Sequence, residues 1–253
     1  MRRQGQFPVP CHPFFNGLWF DNCCGYIRLT FFTKSPHLKV PYYKRLLSFL
    51  YSICIERRSS ALHPVLELYL RRNQWQLATE DAWYSDGRRY RPLLSAFRKI
   101  KTELSVINDV LVLGTGLASA VHILEHMGVH PHFTLVDIDR TVLDLAIELM
   151  PPHNLSQIDP VCMDAQQFMQ GNKTLYPLIV CDVFIGQTVP GFVSSTAFLQ
   201  QCRTGLQPGG RFILNYVEKS KELYQEICEL MRDIFPGYTR IEFGDNKIFV
   251  ASA

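Results

Sequence analysis

The chain has 253 residues, of which 47% are hydrophobic and 19% are charged, and its formal net charge is +3. This length and composition suit one substantial globular domain with a small appendage, and they argue against a largely disordered protein. Because the charge is close to neutral and the basic residues are scattered, nothing points to nucleic acid as a partner.

The first segment, residues 1–40, contains aromatic residues, prolines and cysteines without helical or strand periodicity, and we expect it to be a disordered leader. It lacks the apolar region of a secretory signal, and the apolar stretch 46–55 is about half as long as a membrane span needs. The eight cysteines show no zinc-site spacing. We therefore expect a cytoplasmic protein with reduced thiols, no bound metal and no membrane contact.

Residues 41–87 predict a short helix followed by a small β-hairpin unit. The apolar stretch 42–55 suggests the helix, and residues 64–87 alternate apolar and polar side chains on both sides of a polar "RRNQ" turn, which is typical of a hairpin. The alternating residues are Leu66, Leu68 and Leu70 before the turn and Trp75, Leu77 and Thr79 after it.

Residues 88–253 predict a Rossmann-like domain. After a helix over 88–104, apolar strands and amphipathic helices alternate from Asp109 onward, which indicates a mostly parallel, doubly wound α/β sheet. After a last helix over 220–235, the strands "TRIEF" and "KIFVASA" are separated only by "GDN", a hairpin connection. The antiparallel last strand favours a methyltransferase-type sheet over an ordinary dinucleotide domain.

A glycine-containing turn, "VLVLGTGLAS", follows the first strand of this domain. Gly114 and Gly116 let the backbone approach a ligand closely and enter a helix whose first amides face that ligand. Ser119 replaces the third glycine of the dinucleotide pattern. A tight turn without any ligand would also need glycine here, so the motif alone does not establish a site.

Acidic residues follow three successive strands of the predicted sheet. Asp137 comes 23 residues after Gly114, where a carboxylate can bind ribose hydroxyls in enzymes that use either NAD or S-adenosyl ligands. Asp164 and Asp182 end the next two strands, at the edge where ligands bind. Three carboxylates fit a cationic sulfonium nucleoside better than an anionic pyrophosphate. The alternative for each is a helix cap.

Five segments of the chain resemble successive motifs of the spermidine synthase family, the polyamine aminopropyltransferases. They are "VLVLGTG", "VDIDRTVLDLA", "MDAQQF", "YPLIVCDVF" and "LQPGGRFILN". The likeness extends from about Pro64 to the C-terminus, and the hairpin matches the small β domain that precedes the Rossmann-like domain in that family. The resemblance implies a transferase of polyamine biosynthesis on an S-adenosylmethionine-methyltransferase-like fold.

The resemblance also implies the reaction and its residues. The donor would be decarboxylated S-adenosylmethionine, the acceptor a small amine such as putrescine, and the released nucleoside methylthioadenosine. Asp182 would be the amine-binding base and Tyr90 would assist it. The nucleoside pocket would contain Gln76, Gly114, Gly116, Asp137, Asp164 and Ala165. Family members commonly form oligomers, so a homodimer is expected.

Several positions depart from the family pattern. Ile185 stands where the family has a second aspartate after Asp182, and Pro92 stands where it has a glutamate. The spacing in "DGRRY" nominates Asp86 with Tyr90, although Tyr84 is a competing choice. Fewer carboxylates mean less attraction for a doubly charged diamine.

Three alternatives remain open from the sequence. A methyltransferase could use the same pocket with ordinary S-adenosylmethionine, provided that it accommodates the methionine carboxylate near the glycine turn. A catalytically silent nucleoside-binding protein would explain the missing second aspartate. A nicotinamide-dependent oxidoreductase leaves Asp164, Asp182 and the final hairpin without a role.

Overall fold

The computed structural model describes residues 38–80 and 83–253, which lie within one compact unit, Lys34–Ala253. The expected disordered leader, residues 1–40, falls outside the described residues except at its end, where residues 38–40 form no helix or strand. The expectation of a leader therefore stays a prediction.

The predicted hairpin is part of a small antiparallel sheet with strand order β1-β2-β3-β4. Its strands are β1 (Ile53–Arg58), β2 (Leu66–Arg71), β3 (Gln74–Ala78) and β4 (Trp83–Ser85). β2 and β3 are joined by Arg72 and Asn73, whose φ angles of 49° and 55° are left-handed. Two such residues match the twist of the flanking strands, so they close the hairpin tightly.

The helix predicted from the apolar stretch 42–55 is shorter than that stretch. Helix α1 covers only Tyr42–Leu47, and the second half of the stretch is strand β1. The Ser48 hydroxyl oxygen accepts a hydrogen bond from the amide of Asn73 at 2.9 Å, which attaches the end of α1 to the β2–β3 turn. Beyond it, Ile53, Cys54 and Ile55 favour an extended backbone, and β1 pairs with β2.

The main sheet has seven strands in the order β10-β11-β9-β8-β5-β6-β7. The strands are β5 (Asp109–Leu113), β6 (His132–Asp137), β7 (Ile158–Cys162), β8 (Tyr176–Cys181), β9 (Leu206–Val217), β10 (Thr239–Phe243) and β11 (Asn246–Ser252). The pairings from β9 through β8, β5 and β6 to β7 are parallel, and β11 is antiparallel to both neighbours. The predicted antiparallel last strand is confirmed.

Helices cover both faces of this sheet. They are α2 (Arg91–Lys99), α3 (Ser119–His126), α4 (Arg140–Leu149), α5 (Ala165–Gly171), α6 (Thr196–Thr204) and α7 (Lys221–Ile234). Val110 and Val112 of β5 pack with α2, α3 and α4, whereas Leu111 and Leu113 pack with α5, α6 and α7. Successive side chains of a strand point to opposite faces, so a strand buried on both sides is apolar throughout.

The small sheet packs against the main domain next to the glycine turn. Leu68 and Leu77 share a buried cluster with Leu117. The guanidinium of Arg58 donates to both carboxylate oxygens of Glu148 on α4, at 3.1 and 2.6 Å. Such paired hydrogen bonds fix orientation as well as distance.

The described cysteines concern the expectation of reduced thiols, and the described helices concern the expectation of no membrane contact. Cys54, Cys162, Cys181, Cys202 and Cys228 are free thiols, and Cys181 and Cys202 are buried, as small hydrophobic side chains are. Within residues 38–80 and 83–253, no helix has both the length and the apolar character that crossing a membrane requires.

Candidate active site

A cavity of about 530 Å³ lies at the carboxyl ends of the parallel strands. In sheets of this kind, ligands bind at this edge because the loops after the strands diverge there. Of the residues predicted from the sequence, those that line the cavity are Tyr90, Gly114, Gly116, Asp137, Asp164, Ala165 and Asp182. We call this the strand-end cavity.

Gly114 joins the glycine turn to the catalytic candidate Asp182. Its φ is +84°, and a Cβ at this position would lie 2.3 Å from the backbone oxygen of Asp182. The adjacent strands hold this approach, because the amide of Asp182 donates to the carbonyl of Leu113 at 2.8 Å. Only glycine fits such a backbone contact, so the glycine turn and the backbone of Asp182 pack directly against each other at the base of the cavity.

Asp137 binds the glycine turn through its carboxylate. Its Oδ2 accepts hydrogen bonds from the amides of Thr115 at 2.9 Å and Gly116 at 3.3 Å, and its Oδ1 accepts from the amide of Asp139 at 2.9 Å. Burial raises the pKa of Asp137, and the three amides oppose that shift. Since a carboxylate has about four acceptor positions, Asp137 retains capacity for a hydroxyl from the cavity.

Asp164 begins helix α5 and also lines the cavity. Its Oδ1 accepts from the amide of Gln167 at 3.0 Å, so the capping role considered for this residue is present. The described residues offer its second oxygen no hydrogen bond. A cap and a ligand contact are therefore compatible, and Ala165 lies beside the carboxylate in the cavity wall.

Asp182 is at the centre of a side-chain network. Its Oδ1 accepts hydrogen bonds from the Tyr90 hydroxyl at 3.3 Å and from Nδ2 of Asn215 at 2.8 Å. Burial raises the pKa of Asp182 to about 6, and the hydrogen bonds from Asn215 and Tyr90 oppose the shift. Its Oδ2 accepts no hydrogen bond from the described residues. The free oxygen of a carboxylate that lines a cavity is suited to bind a cation there.

Tyr90 is fixed by the same network. Its hydroxyl donates to Asp182 and accepts from Nδ2 of Asn215 at 2.7 Å. Burial and the neighbouring Asp182 charge raise the pKa of Tyr90, so the phenol keeps its proton. A protonated Tyr90 holds the carboxylate in place.

Sequence reasoning did not identify Asn215 and Asn246. Asn215 is fully buried in the apolar strand "RFILNYV", and its Oδ1 accepts from Nδ2 of Asn246 at 3.0 Å. An asparagine inside a buried strand needs partners, and this was the one signal that could have identified it. Together the two asparagines connect strands β9 and β11 to Asp182.

Thr115 is a further residue that the motifs did not suggest. It is 4% exposed, it lines the cavity, and its hydroxyl oxygen has no hydrogen-bond partner among the described residues. Burying a hydroxyl without a hydrogen bond costs free energy, so a ligand in the cavity that hydrogen-bonds to Thr115 would remove that cost.

Gln76 lies elsewhere. It is absent from the cavity lining, and its Nε2 donates to Oδ1 of Asp86 at 2.6 Å. Tyr90, which the Asp86–Tyr90 spacing nominated, does contact Asp182. Ile185 lines the cavity, and 54% of its surface is exposed. The nucleoside role expected for Gln76 stays a prediction that no contact in the structure supports.

The sheet order, the antiparallel β11, the glycine turn and the acidic strand ends together define a protein with the S-adenosylmethionine-methyltransferase-like fold. Within that class, the chain belongs to the spermine/spermidine synthase domain family, whose model matches residues 100–243. This is a family of transferases, and the match contains Asp137, Asp164, Asp182 and Asn215.

A relative of similar sequence agrees with this assignment. The chain is 29% identical over 108 residues to a probable polyamine aminopropyl transferase of Bifidobacterium longum (strain NCC 2705); the match covers 43% of the chain and 24% of that protein. The chain thus spans about a quarter of the length of that relative.

Two solved structures resemble the fold. A probable spermidine synthase from Corynebacterium glutamicum ATCC 13032 has a TM-score of 0.66 at 18% identity, over 78% of this chain and 79% of that one. Spermidine synthase from Thermotoga maritima has a TM-score of 0.60 at 13% identity, over 79% and 72%.

Proposed function

We propose that the protein transfers an aminopropyl group from decarboxylated S-adenosylmethionine to a small amine such as putrescine. Its family membership supports a transferase, and the single observation that carries the proposal is the arrangement of Asp182. This carboxylate is held on one oxygen by Tyr90 and Asn215, and its other oxygen is free in the strand-end cavity.

The chemistry requires such a group. An aliphatic amine has a pKa of about 10, and only its neutral form has the lone pair that attacks carbon. The carboxylate of Asp182 first binds the ammonium form and orients it. Because the pKa of Asp182 is raised to about 6, this carboxylate is ionised at neutral pH and is also a stronger base than an ordinary aspartate.

The transfer step balances as a substitution at carbon. The amine nitrogen forms a bond to the methylene carbon next to the sulfonium, and the carbon–sulfur bond breaks. The electron pair of that bond goes to sulfur, which becomes the neutral thioether of methylthioadenosine. Before the attack, the bound ammonium gives one proton to Oδ2 of Asp182 and becomes the neutral amine, and this proton then passes to solvent. No metal ion is required by this scheme.

The opposite wall of the cavity suits the nucleoside. In this proposal Asp137 accepts a hydrogen bond from the ribose, Asp164 accepts from the adenine amino group, and Ala165 packs against the base. Gly114 and Gly116 allow the ligand to approach the backbone. Support comes from the free acceptor capacity of both carboxylates and from the Thr115 hydroxyl, which has no hydrogen-bond partner in the described part of the chain.

The test is to incubate the purified protein with S-adenosylmethionine or its decarboxylated form, with and without polyamines, and to identify the nucleoside product by mass spectrometry. We expect methylthioadenosine only when the decarboxylated donor and an amine are both present. S-adenosylhomocysteine would show a methyltransferase instead. Donor binding without either product would favour a silent nucleoside-binding protein.

The expected homodimer is a separate proposal that rests on the family resemblance. Gel filtration at several protein concentrations tests it, and a monomeric mass throughout would contradict it.

A further inference from the structure

The strand-end cavity contains carboxylates that the proposed reaction does not use, and Asp245 is one of them. Asp245 lines the same cavity as Asp182, in the turn between β10 and β11. Its side chain is exposed, and it forms neither a hydrogen bond nor an ion pair with any described residue. Asp245 is therefore available to a ligand.

The strand register places Asp245 close to the catalytic network. Asn246, the next residue, pairs with Val217 of β9 and hydrogen-bonds Asn215, which contacts Asp182. The amide of Glu218 donates to the carbonyl of Asp245 at 3.0 Å. Asp245 therefore directly precedes a residue that hydrogen-bonds the Asp182 network, and both carboxylates line the same cavity.

The other charged groups at this end of the cavity already have partners. The Glu218 carboxylate lies 3.3 Å from Nζ of Lys247, which also lies 3.4 Å from Glu242. The ammonium of Lys219 donates to the Thr188 hydroxyl at 2.7 Å. Among the described cavity residues beyond the nucleoside wall, Asp245 is thus the carboxylate that has no hydrogen-bond or ion-pair partner on either oxygen.

We infer that Asp245 binds the distal ammonium of a diamine acceptor while Asp182 binds the amine that attacks. This inference rests on the proposed aminopropyl transfer and specifies its acceptor as a dication. In this arrangement the second carboxylate comes from a different loop. The loop after β8 has the apolar Ile185 where the family has an aspartate, and the β10–β11 turn supplies the negative charge through Asp245. This relocation does not involve the nucleoside wall, because Asp137 ends β6 and Asp164 begins α5.

The test compares three acceptors of equal chain length: putrescine, butylamine and 4-aminobutyrate. Asp245→Asn should lower kcat/KM for putrescine about fivefold through KM, the upper range for one solvent-accessible ion pair. The value for butylamine should stay unchanged, and the loss should shrink as the salt concentration rises. Asp233→Asn, an exposed change on α7, is the matched control and should alter none of these values.

Two outcomes would overturn the inference. In the first, Asp245→Asn leaves unchanged the ratio of kcat/KM for putrescine to kcat/KM for butylamine. In the second, the wild type prefers 4-aminobutyrate, which would assign the distal contact to Lys219. Calorimetry of putrescine binding in the presence of methylthioadenosine separates this inference from the reaction itself. If no amine is aminopropylated, the proposed function fails, whereas equal putrescine affinity of wild type and Asp245→Asn rejects the role of Asp245.

Discussion

The two ends of the strand-end cavity are constructed differently. At the nucleoside end, Asp137 accepts hydrogen bonds from backbone amides of the glycine turn after β5 and of Asp139, and Asp164 accepts one from the first turn of α5. At the acceptor end, Tyr90, Asp182, Asn215 and Asn246 bind one another through side chains from separate elements. The first end uses backbone groups of neighbouring strand–turn–helix units, whereas the second depends on side chains that only the complete fold brings together.

The largest effect should come from Asp182→Asn, which retains the shape of the side chain and removes the base. We expect turnover to fall by about 10²- to 10⁴-fold, the usual contribution of a general base. Nucleoside binding should stay nearly intact, because that end of the cavity does not use the Asp182 side chain. Single-turnover assays and calorimetry measure the two properties. Unchanged turnover would remove Asp182 from the mechanism.

The same substitution should stabilise the folded protein at neutral pH. The pKa of Asp182 is raised from 3.8 to about 6, so the folded state binds this proton more tightly than the unfolded state does. Stability from this group is present below pH 3.8 and is lost as pH rises through about 6, a difference of roughly 3 kcal/mol.

Urea denaturation of wild type and Asp182→Asn checks this expectation. At pH 7.5 the variant should have the larger free energy of unfolding, and near pH 4 the two proteins should agree. Equal stability at both pH values would show that burial does not penalise the charge of Asp182.

Asn215→Ala should affect the acceptor end by altering Asp182. The hydrogen bond from Asn215 lowers the pKa of Asp182, so its loss should raise that pKa further and move the acid limb of the kcat/KM profile to higher pH. Loss of one hydrogen bond to a charged group should cost roughly tenfold in kcat. Asn246→Ala, one contact further from Asp182, should cause a smaller shift in the same direction. Asn108→Ala, an exposed change before β5, should leave the profile in place.

The sequence predicted the fold largely because its signals are local. Alternating strands and helices indicated the doubly wound sheet, and the three residues of "GDN" were enough to predict the antiparallel β11. The helix expected over 42–55 was too long because an apolar stretch of this length does not distinguish a helix from the start of strand β1.

The site divides in the same way. Glycines and strand-end aspartates at the nucleoside end form a recognisable spacing, and all of those predicted residues line the cavity. Asn215 and Asn246 carry no motif, because their importance comes from strand neighbours that the sequence does not place together. Gln76 shows the converse: a motif-like position pairs with Asp86 and does not line the cavity.

The smallest predicted effect sharpens the comparison at Asp164, where a helix cap and a proposed adenine contact share one side chain. Asp164→Ala removes both roles, so it should cost about 1 kcal/mol of stability and weaken nucleoside binding severalfold. Asp164→Ser retains an oxygen that caps α5 but lacks the second carboxylate oxygen, so it should restore stability without restoring affinity. Thermal denaturation with and without methylthioadenosine measures both quantities. If Asp164→Ser restored nucleoside affinity together with stability, Asp164 would act on the nucleoside only by positioning α5.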